Sequence, residues 1–248
     1  MESKTLNQTE WDRQAGMHVL LVAGGPADTE WIRKMIHERI RNKKAKGSEP
    51  DCRTILVGVD AGVLRIEEAG AAADLVIGDF DSVKPEQKER ILKTYPEQIL
   101  LDPVKDDTDM EAALRRILTM KPKSVTILGA TGGRLDHLLA NLRLLKLFAD
   151  AGIPAEILDS QNRIRMLRGS VALRKKDMYG RYISLLPASG DLTDVTLRGF
   201  KYPLKSAVLP MYGSLGVSNE LLEEEGEISF SGGYLYLLET RDEPVKQY

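Results

Sequence analysis

The stretch SVTILGATGGRLDHLLANLRLLKLFADAG, residues 124–152, holds three kinds of sequence in succession. Residues 124–128 are apolar and β-branched, which predicts a strand. Gly129, Gly132 and Gly133 follow as a turn. Leu135, Leu138, Leu139, Leu142 and Leu145 then recur at helical spacing, and Gly152 closes the helix. Strand, glycine turn and helix in that order form the unit of a parallel sheet covered by helices.

Reading outward, the same alternation recurs. Toward the N-terminus, residues 18–22 are a short apolar run ended by Gly24, Gly25 and Pro26. Residues 31–40 place Ile32, Met35, Ile36 and Ile40 on one helical face. Strand signals follow at 54–59, 75–77 and 98–101, with a helix expected over 85–93. Thr108-Asp109-Met110-Glu111 reads as a capping box before a helix carried by Met110, Ala113, Leu114, Ile117 and Leu118. Residues 153–158 return to strand. Beyond about residue 160, short strands alternate with turn glycines, at 163–167, 181–186, 195–197, 227–231 and 234–239. Helical spacing is weak there except over 219–225. The expectation is an α/β N-terminal domain with a mainly parallel sheet over 17–160. A C-terminal all-β sandwich follows over 161–248, and residues 1–16 form a polar, disordered lead-in.

Composition narrows the class. Apolar residues are 42% and charged residues 29% of the 248-residue chain, an ordinary globular balance. No apolar run approaches the ~20 residues of a membrane helix, and the polar start lacks a signal-peptide core. No membrane association is expected. Cys52 is the only cysteine, so no internal disulfide or cysteine-clustered zinc site forms, which suits a reducing cytoplasm. With 35 basic and 37 acidic residues the net charge is −2, and no basic stripe argues for nucleic acid. The basic run over 39–46 reads as a solvated helix end.

Four stretches carry candidate chemistry, each at an expected strand end, where α/β sheets bind ligands. Gly78-Asp79-Phe80-Asp81-Ser82 puts two carboxylates at i and i+2, within reach of one hard cation, or forms an Asx turn. Lys105-Asp106-Asp107-Thr108-Asp109 crowds three acids at a helix start. The helix dipole explains one or two of them, and a bound cation would relieve the rest. Lys105 is either an internal counter-charge or a phosphate contact. Gly132-Gly133-Arg134-Leu135-Asp136-His137 brings backbone N–H groups and a guanidinium fork suited to phosphate. There Asp136 accepts a proton or orients Arg134, and His137 is a phosphate contact or a packing residue. Dinucleotide and Walker A spacings are absent. Asp60, after the strand at 54–59, is a fourth carboxylate or an ordinary turn residue. Together acids for metal and glycines with arginine for phosphate suit phosphoryl-type transfer.

The order of Asp60-x-Gly62, Gly78-Asp79-Phe80-Asp81-Ser82, Asp106-x-Thr108-Asp109 and Gly132-Gly133-Arg134-x-Asp136-His137 resembles the thiamine pyrophosphokinase family. Ile183-Ser184-Leu185-Leu186-Pro187, Gly199-x-Lys201-Tyr202-Pro203-Leu204 and Ser218-Asn219-Glu220 extend the likeness over nearly the whole chain. The resemblance implies pyrophosphate transfer from ATP to the hydroxyl of thiamine, with Mg²⁺ at Asp79, Asp81 and Asp109 and Asp60 beside them. It implies Lys105, Asp106, Thr108, Arg134 and His137 near the nucleotide and Asp136 orienting the reacting groups. Ser218 and Asn219 fall on the thiamine side. It further implies a homodimer, with thiamine between one copy's α/β domain and the other's sandwich. The base is left open between Asp81 and Asp109, and the aromatic that stacks on thiamine among Tyr212, Phe230, Tyr234 and Tyr236. A related kinase of another alcohol, or a non-catalytic nucleotide-binding regulator, are the rival readings.

Overall fold

The structure is a computed structural model, and it describes residues 16–41, 53–104 and 106–242. Its contacts divide the chain between Ala155 and Glu156. The first unit runs β1 (His18–Val22), α1 (Thr29–Arg41), β2 (Thr54–Val59), α2 (Gly62–Glu68), β3 (Leu75–Gly78), α3 (Pro85–Thr94), β4 (Gln98–Leu100), α4 (Asp109–Thr119), β5 (Ser124–Leu128) and α5 (Leu135–Ala151). Its strands lie in the order β5-β1-β2-β3-β4, and every pairing is parallel. A parallel sheet is buried on both faces, which is why these strands read as continuous apolar runs and not as alternating ones. Leu20, Leu21, Leu56, Val57, Val76 and Ile77 are all at most 1% exposed.

Local signals start and stop the helices. Asp28 caps α1 by accepting the Trp31 N–H at 2.7 Å, and Ile32, Met35 and Ile36 turn inward while Ile40 is exposed. Pro85 opens α3 at the first helical position, where its missing N–H costs nothing. Thr108 caps α4 through the Glu111 N–H at 3.1 Å. The Glu111 carboxylate does not complete a capping box, because it takes Arg115 at 2.6 Å one turn on. α2 was not anticipated; it has no side-chain cap and buries only Gly62, Val63 and Ile66. α5 ends on Gly152 with φ 68°, as its glycine predicts. Its buried residues are Leu144, Leu145 and Phe148, whereas Leu135 is 72% and Leu139 54% exposed. The leucine stripe therefore covers the core only along its C-terminal half.

The second unit is antiparallel. One sheet has the order β12 (Asn219–Glu220), β9 (Tyr182–Pro187), β14 (Leu235–Thr240), β7 (Asn162–Leu167), β6 (Ala155–Leu158). The other has β11 (Leu204–Leu209), β10 (Leu192–Arg198), β13 (Glu225–Ser231), β8 (Val171–Arg174). Leu173, Ile183, Leu185, Leu192, Val195, Leu197, Ile228, Leu235 and Leu237 meet in one core, the sandwich that alternating inward residues build. In the strand expected over 153–158, residues 156–158 pair antiparallel with β7. The helix expected over 219–225 does not form. Asn219 and Glu220 pair instead with Ile183 and Tyr182 of β9, and Glu225 opens β13.

Candidate active site

Parallel strands end on the same edge of their sheet, and β2 and β3 are neighbours with Val59 opposite Ile77. The residues that follow them therefore emerge side by side. The Asp60 N–H donates to the Ile77 carbonyl at 2.9 Å. A Cβ on Gly78 would stand 3.1 Å from the Asp60 Cα, so glycine there allows the two strand ends to touch. α4 packs on β2 and β3 and starts at Asp109. The outcome is a cluster in which Asp60, Asp79, Asp81 and Asp109 each offer a carboxylate oxygen, all within 4.8 Å of one another. These are the three carboxylates expected for metal and the one expected beside them.

The turn carrying Asp79 and Asp81 is held from several directions. Phe80 between them has φ 56°, a left-handed conformation that costs an L-residue about 1–2 kcal/mol. Its ring is 1% exposed and packs with Val63, Val76, Ile91 and Tyr95. Burying the ring offsets that strain and turns the chain so that the flanking acids face the cluster. Asp79, 7% exposed, accepts the Asp81 N–H on Oδ1 at 3.0 Å. The Ser82 hydroxyl donates to Asp60 Oδ2, and the Lys88 ammonium donates to the Asp79 carbonyl. Sequence reading missed the last two contacts. Neither has a motif, because the partners are 22 and 9 residues apart.

The cluster's chemistry fits a divalent cation. Burial first, and the neighbouring charges of Asp109 and Asp81 next, raise the Asp60 carboxyl above its ordinary range, with the Ser82 hydrogen bond opposing. Asp60 Oδ1 is buried and accepts no hydrogen bond. A hard cation satisfies such an oxygen and removes the repulsion among the acids, and carboxylates are its preferred ligands.

On the same edge, β1 and β5 are neighbours with Val22 opposite Leu128, so their glycine turns meet. The Gly25 N–H donates to the Gly129 carbonyl at 3.0 Å. A Cβ on Gly25 would lie 2.3 Å from that oxygen, and one on Gly129, whose φ is 67°, would lie 2.5 Å from the Ala23 carbonyl oxygen. These two glycines serve chain packing. Gly132 and Gly133 are exposed and free to meet a ligand. Arg134 precedes α5 and grips Asp136 with both arms of its fork, Nε to Oδ1 at 3.1 Å and Nη2 to Oδ2. That contact lowers the Asp136 carboxyl and raises the Arg134 guanidinium. The His137 N–H also donates to Asp136 Oδ1, at 2.9 Å. Asp136 thus orients Arg134.

The remaining expected residues are placed as follows. Thr108 is exposed with its oxygen engaged as a cap, and Asp106 is exposed beside it. Lys105 lies outside the described residues. In the second unit Asn219 is 3% exposed. Its Oδ1 accepts the Tyr202 and Glu220 N–H groups at 3.0 and 2.9 Å, and its Nδ2 donates to the Tyr202 carbonyl at 2.8 Å. Asn219 ties two loops together. Ser218 is exposed with φ 56°, and its N–H donates to Ser184 Oγ at 3.0 Å. Of the aromatic candidates, Tyr212 is 86% exposed, while Phe230 packs on the sandwich core.

An acidic cluster beside a glycine–arginine turn, on the strand-end edge of an α/β unit followed by a β-sandwich, suits a metal-assisted enzyme of phosphoryl-type group transfer. Comparison with known proteins specifies the class. Residues 50–157 match the model of the thiamin pyrophosphokinase catalytic domain, and residues 170–235 that of the thiamin pyrophosphokinase vitamin B1 binding domain. Thiamine pyrophosphokinase of Bacillus subtilis is 37% identical over 192 residues, 77% of this chain and 90% of that protein. The crystal structure of thiamine pyrophosphokinase from Bacillus subtilis superposes with a TM-score of 0.75 at 32% identity, covering 91% of this chain and 99% of the other. That of thiamin pyrophosphokinase from Geobacillus thermodenitrificans does so at 0.74 and 33%, covering 92% and 99%. The chain belongs to the thiamin pyrophosphokinase family.

Proposed function

We propose that the protein transfers a pyrophosphate group from ATP to the hydroxyl of thiamine, giving thiamine diphosphate and AMP in an Mg²⁺-dependent reaction. The convergence of Asp60, Asp79, Asp81 and Asp109 within 4.8 Å carries this reading. These four carboxylates would hold the cation, which when bound supplies charge neutralisation at the phosphate oxygens. Arg134, oriented by Asp136, offers two parallel donors to a phosphate. Gly132 and Gly133 allow main-chain N–H groups to approach it. The thiamine oxygen attacks the β-phosphorus as the bond from that phosphorus to the α-phosphate oxygen breaks, and AMP leaves. The hydroxyl proton goes to a carboxylate of the cluster, Asp81 or Asp109. His137 and Asp106 would contact the nucleotide, with Thr108 fixing the start of α4; the resemblance assigns Lys105 the same role. Ser218 serves the thiamine side, and Asn219 shapes the loop that holds it.

The protein acts as a homodimer in this reading. The apolar side chains of Leu135 and Leu139 on the first unit, and of Tyr202, Met211, Tyr212, Leu215, Val217 and Leu222 on the second, are exposed in the single chain. Such surface is what association covers. The single cysteine supports a cytoplasmic setting. Among the described residues no helix is long and apolar enough to cross a membrane.

Product analysis with ATP, Mg²⁺ and thiamine tests the reaction. AMP and thiamine diphosphate in equal amounts are expected. ADP with thiamine monophosphate would overturn pyrophosphate transfer, and Mg²⁺-dependent ATP binding with no thiamine product would overturn the acceptor.

A further inference from the structure

We propose that Lys88 is a positioning residue for the carboxylate cluster, holding the turn of Asp79 and Asp81 in its cation-binding shape; this rests on the cluster being a divalent-cation site. Lys88 lies in the first turn of α3 and is half-buried. Its ammonium donates to the main-chain carbonyl of Asp79. Two other fastenings of the turn use carboxylate oxygens: Asp79 Oδ1 takes the Asp81 N–H, and Asp60 Oδ2 takes the Ser82 hydroxyl. Lys88 differs from these two, because it fixes the turn through a main-chain carbonyl and occupies no carboxylate oxygen. A lysine close to four acids ordinarily forms an ion pair, and such a pair here would compete with the cation. Among the described residues Lys88 forms none within 4 Å; it bypasses the carboxylates for the backbone. It also brings one positive charge to a strand end loaded with negative ones, at the N-terminus of α3, where the dipole adds to it. Partners that orient metal ligands without touching the metal typically change affinity about 10–100-fold when removed.

The test reads metal binding, not turnover. Cys52, the chain's only cysteine, is first replaced by Ser. Lys88→Cys is then titrated with Mn²⁺ by electron paramagnetic resonance, before and after aminoethylation, which rebuilds an ammonium at lysine's reach. The expected result is about a tenfold loss of Mn²⁺ affinity, restored to within about threefold by aminoethylation. Affinity within twofold of the parent before aminoethylation would overturn the proposal. A loss that aminoethylation leaves unchanged would also overturn it, since packing alone would then be at fault. If Lys88→Cys does not fold, Lys88→Gln takes the same titration. Gln keeps a donor but loses charge and reach, so a tenfold loss supports the proposal and affinity within twofold overturns it. AMP release plays no part in these readings, so a failed product assay bears on the reaction alone. A parent protein that binds no Mn²⁺ removes the site on which the assignment of Lys88 stands.

Discussion

Phe80 joins the stability of the first unit to the shape of its site, and substitutions there separate two forces of opposite sign. Its ring is 1% exposed within the cluster of Val63, Val76, Ile91 and Tyr95, and truncating a phenyl so buried costs about 3–5 kcal/mol. Its φ of 56° holds about 1–2 kcal/mol of strain for any L-residue. Phe80→Ala loses the ring and keeps the strain, so the full 3–5 kcal/mol is expected. Phe80→Gly also loses the ring but relieves the strain, while its more flexible unfolded chain costs about 0.4–1 kcal/mol. Glycine is therefore expected to match alanine or exceed it by up to about 1.6 kcal/mol, the reverse of the order at an ordinary helix or strand position. Urea denaturation followed by circular dichroism, fitted with a separate transition for each unit, measures both. A Phe80→Gly protein less stable than Phe80→Ala by about 0.5–1 kcal/mol would refute the strained-turn reasoning. A loss below about 1 kcal/mol in both would refute the burial.

Asp79→Asn is expected to abolish thiamine diphosphate formation even at saturating Mg²⁺ while the circular dichroism spectrum stays that of the parent; retained turnover would remove Asp79 from the ligand set. Arg134→Lys is expected to raise KM for ATP several-fold with no change in melting temperature, because the Arg134–Asp136 pair is 73% and 62% exposed and exposed pairs contribute little to stability. Glu220 is held down to about 2 by hydrogen bonds from Arg181 and then Lys201. A depressed carboxyl stabilises the fold above its unfolded value of 4.5, and that contribution fades as pH falls through the folded value. Glu220→Gln is therefore expected to lower the melting temperature at pH 7, with the two proteins converging between pH 4.5 and 2; a constant gap across that window would contradict the assignment.

What the sequence discloses of this site follows from how local each contact is. Asp79 and Asp81 are legible because an apolar residue between two acids forces both onto the side away from the core. Asp60 is legible only as one of two readings, since a single acid after a strand reads equally as a turn. Only the parallel pairing of β2 with β3 sets it beside Gly78. Lys88 reaches the turn from outside any motif, and Ser82, inside one, bonds Asp60 22 residues away. The sheet of the first unit is legible because buried strands are apolar throughout. In the sandwich, residues 171–174 and 204–209 were passed over, since each strand shows only one buried residue, Leu173 and Leu209 respectively. The acids of 219–225 imitate a helix, and the pairing of Asn219 and Glu220 with β9 overrides that local preference. The leucines of α5 misled in the opposite direction. Their spacing is correct for a helix, but spacing does not say what covers each one.

The exposed half of that helix and the crowded half of the acidic cluster belong to one argument. A sequence selected for stability alone would avoid both. Leu135 and Leu139 leave apolar surface in water, and Asp60 is raised by burial and by two neighbouring carboxylates. Local rules are commonly broken where function requires it, and the cost is met elsewhere in the fold. Here the compensations can be named. Phe80 packs in the core beneath the strained turn, and Thr108 caps α4 so that Asp109 starts at the cluster. Ser82 occupies one oxygen of Asp60 and leaves the other buried without a donor. Each helps to hold the four acids together. The Asp60 oxygen so left is placed for a divalent ion to take, and the ion would offset the charge of the acids around it.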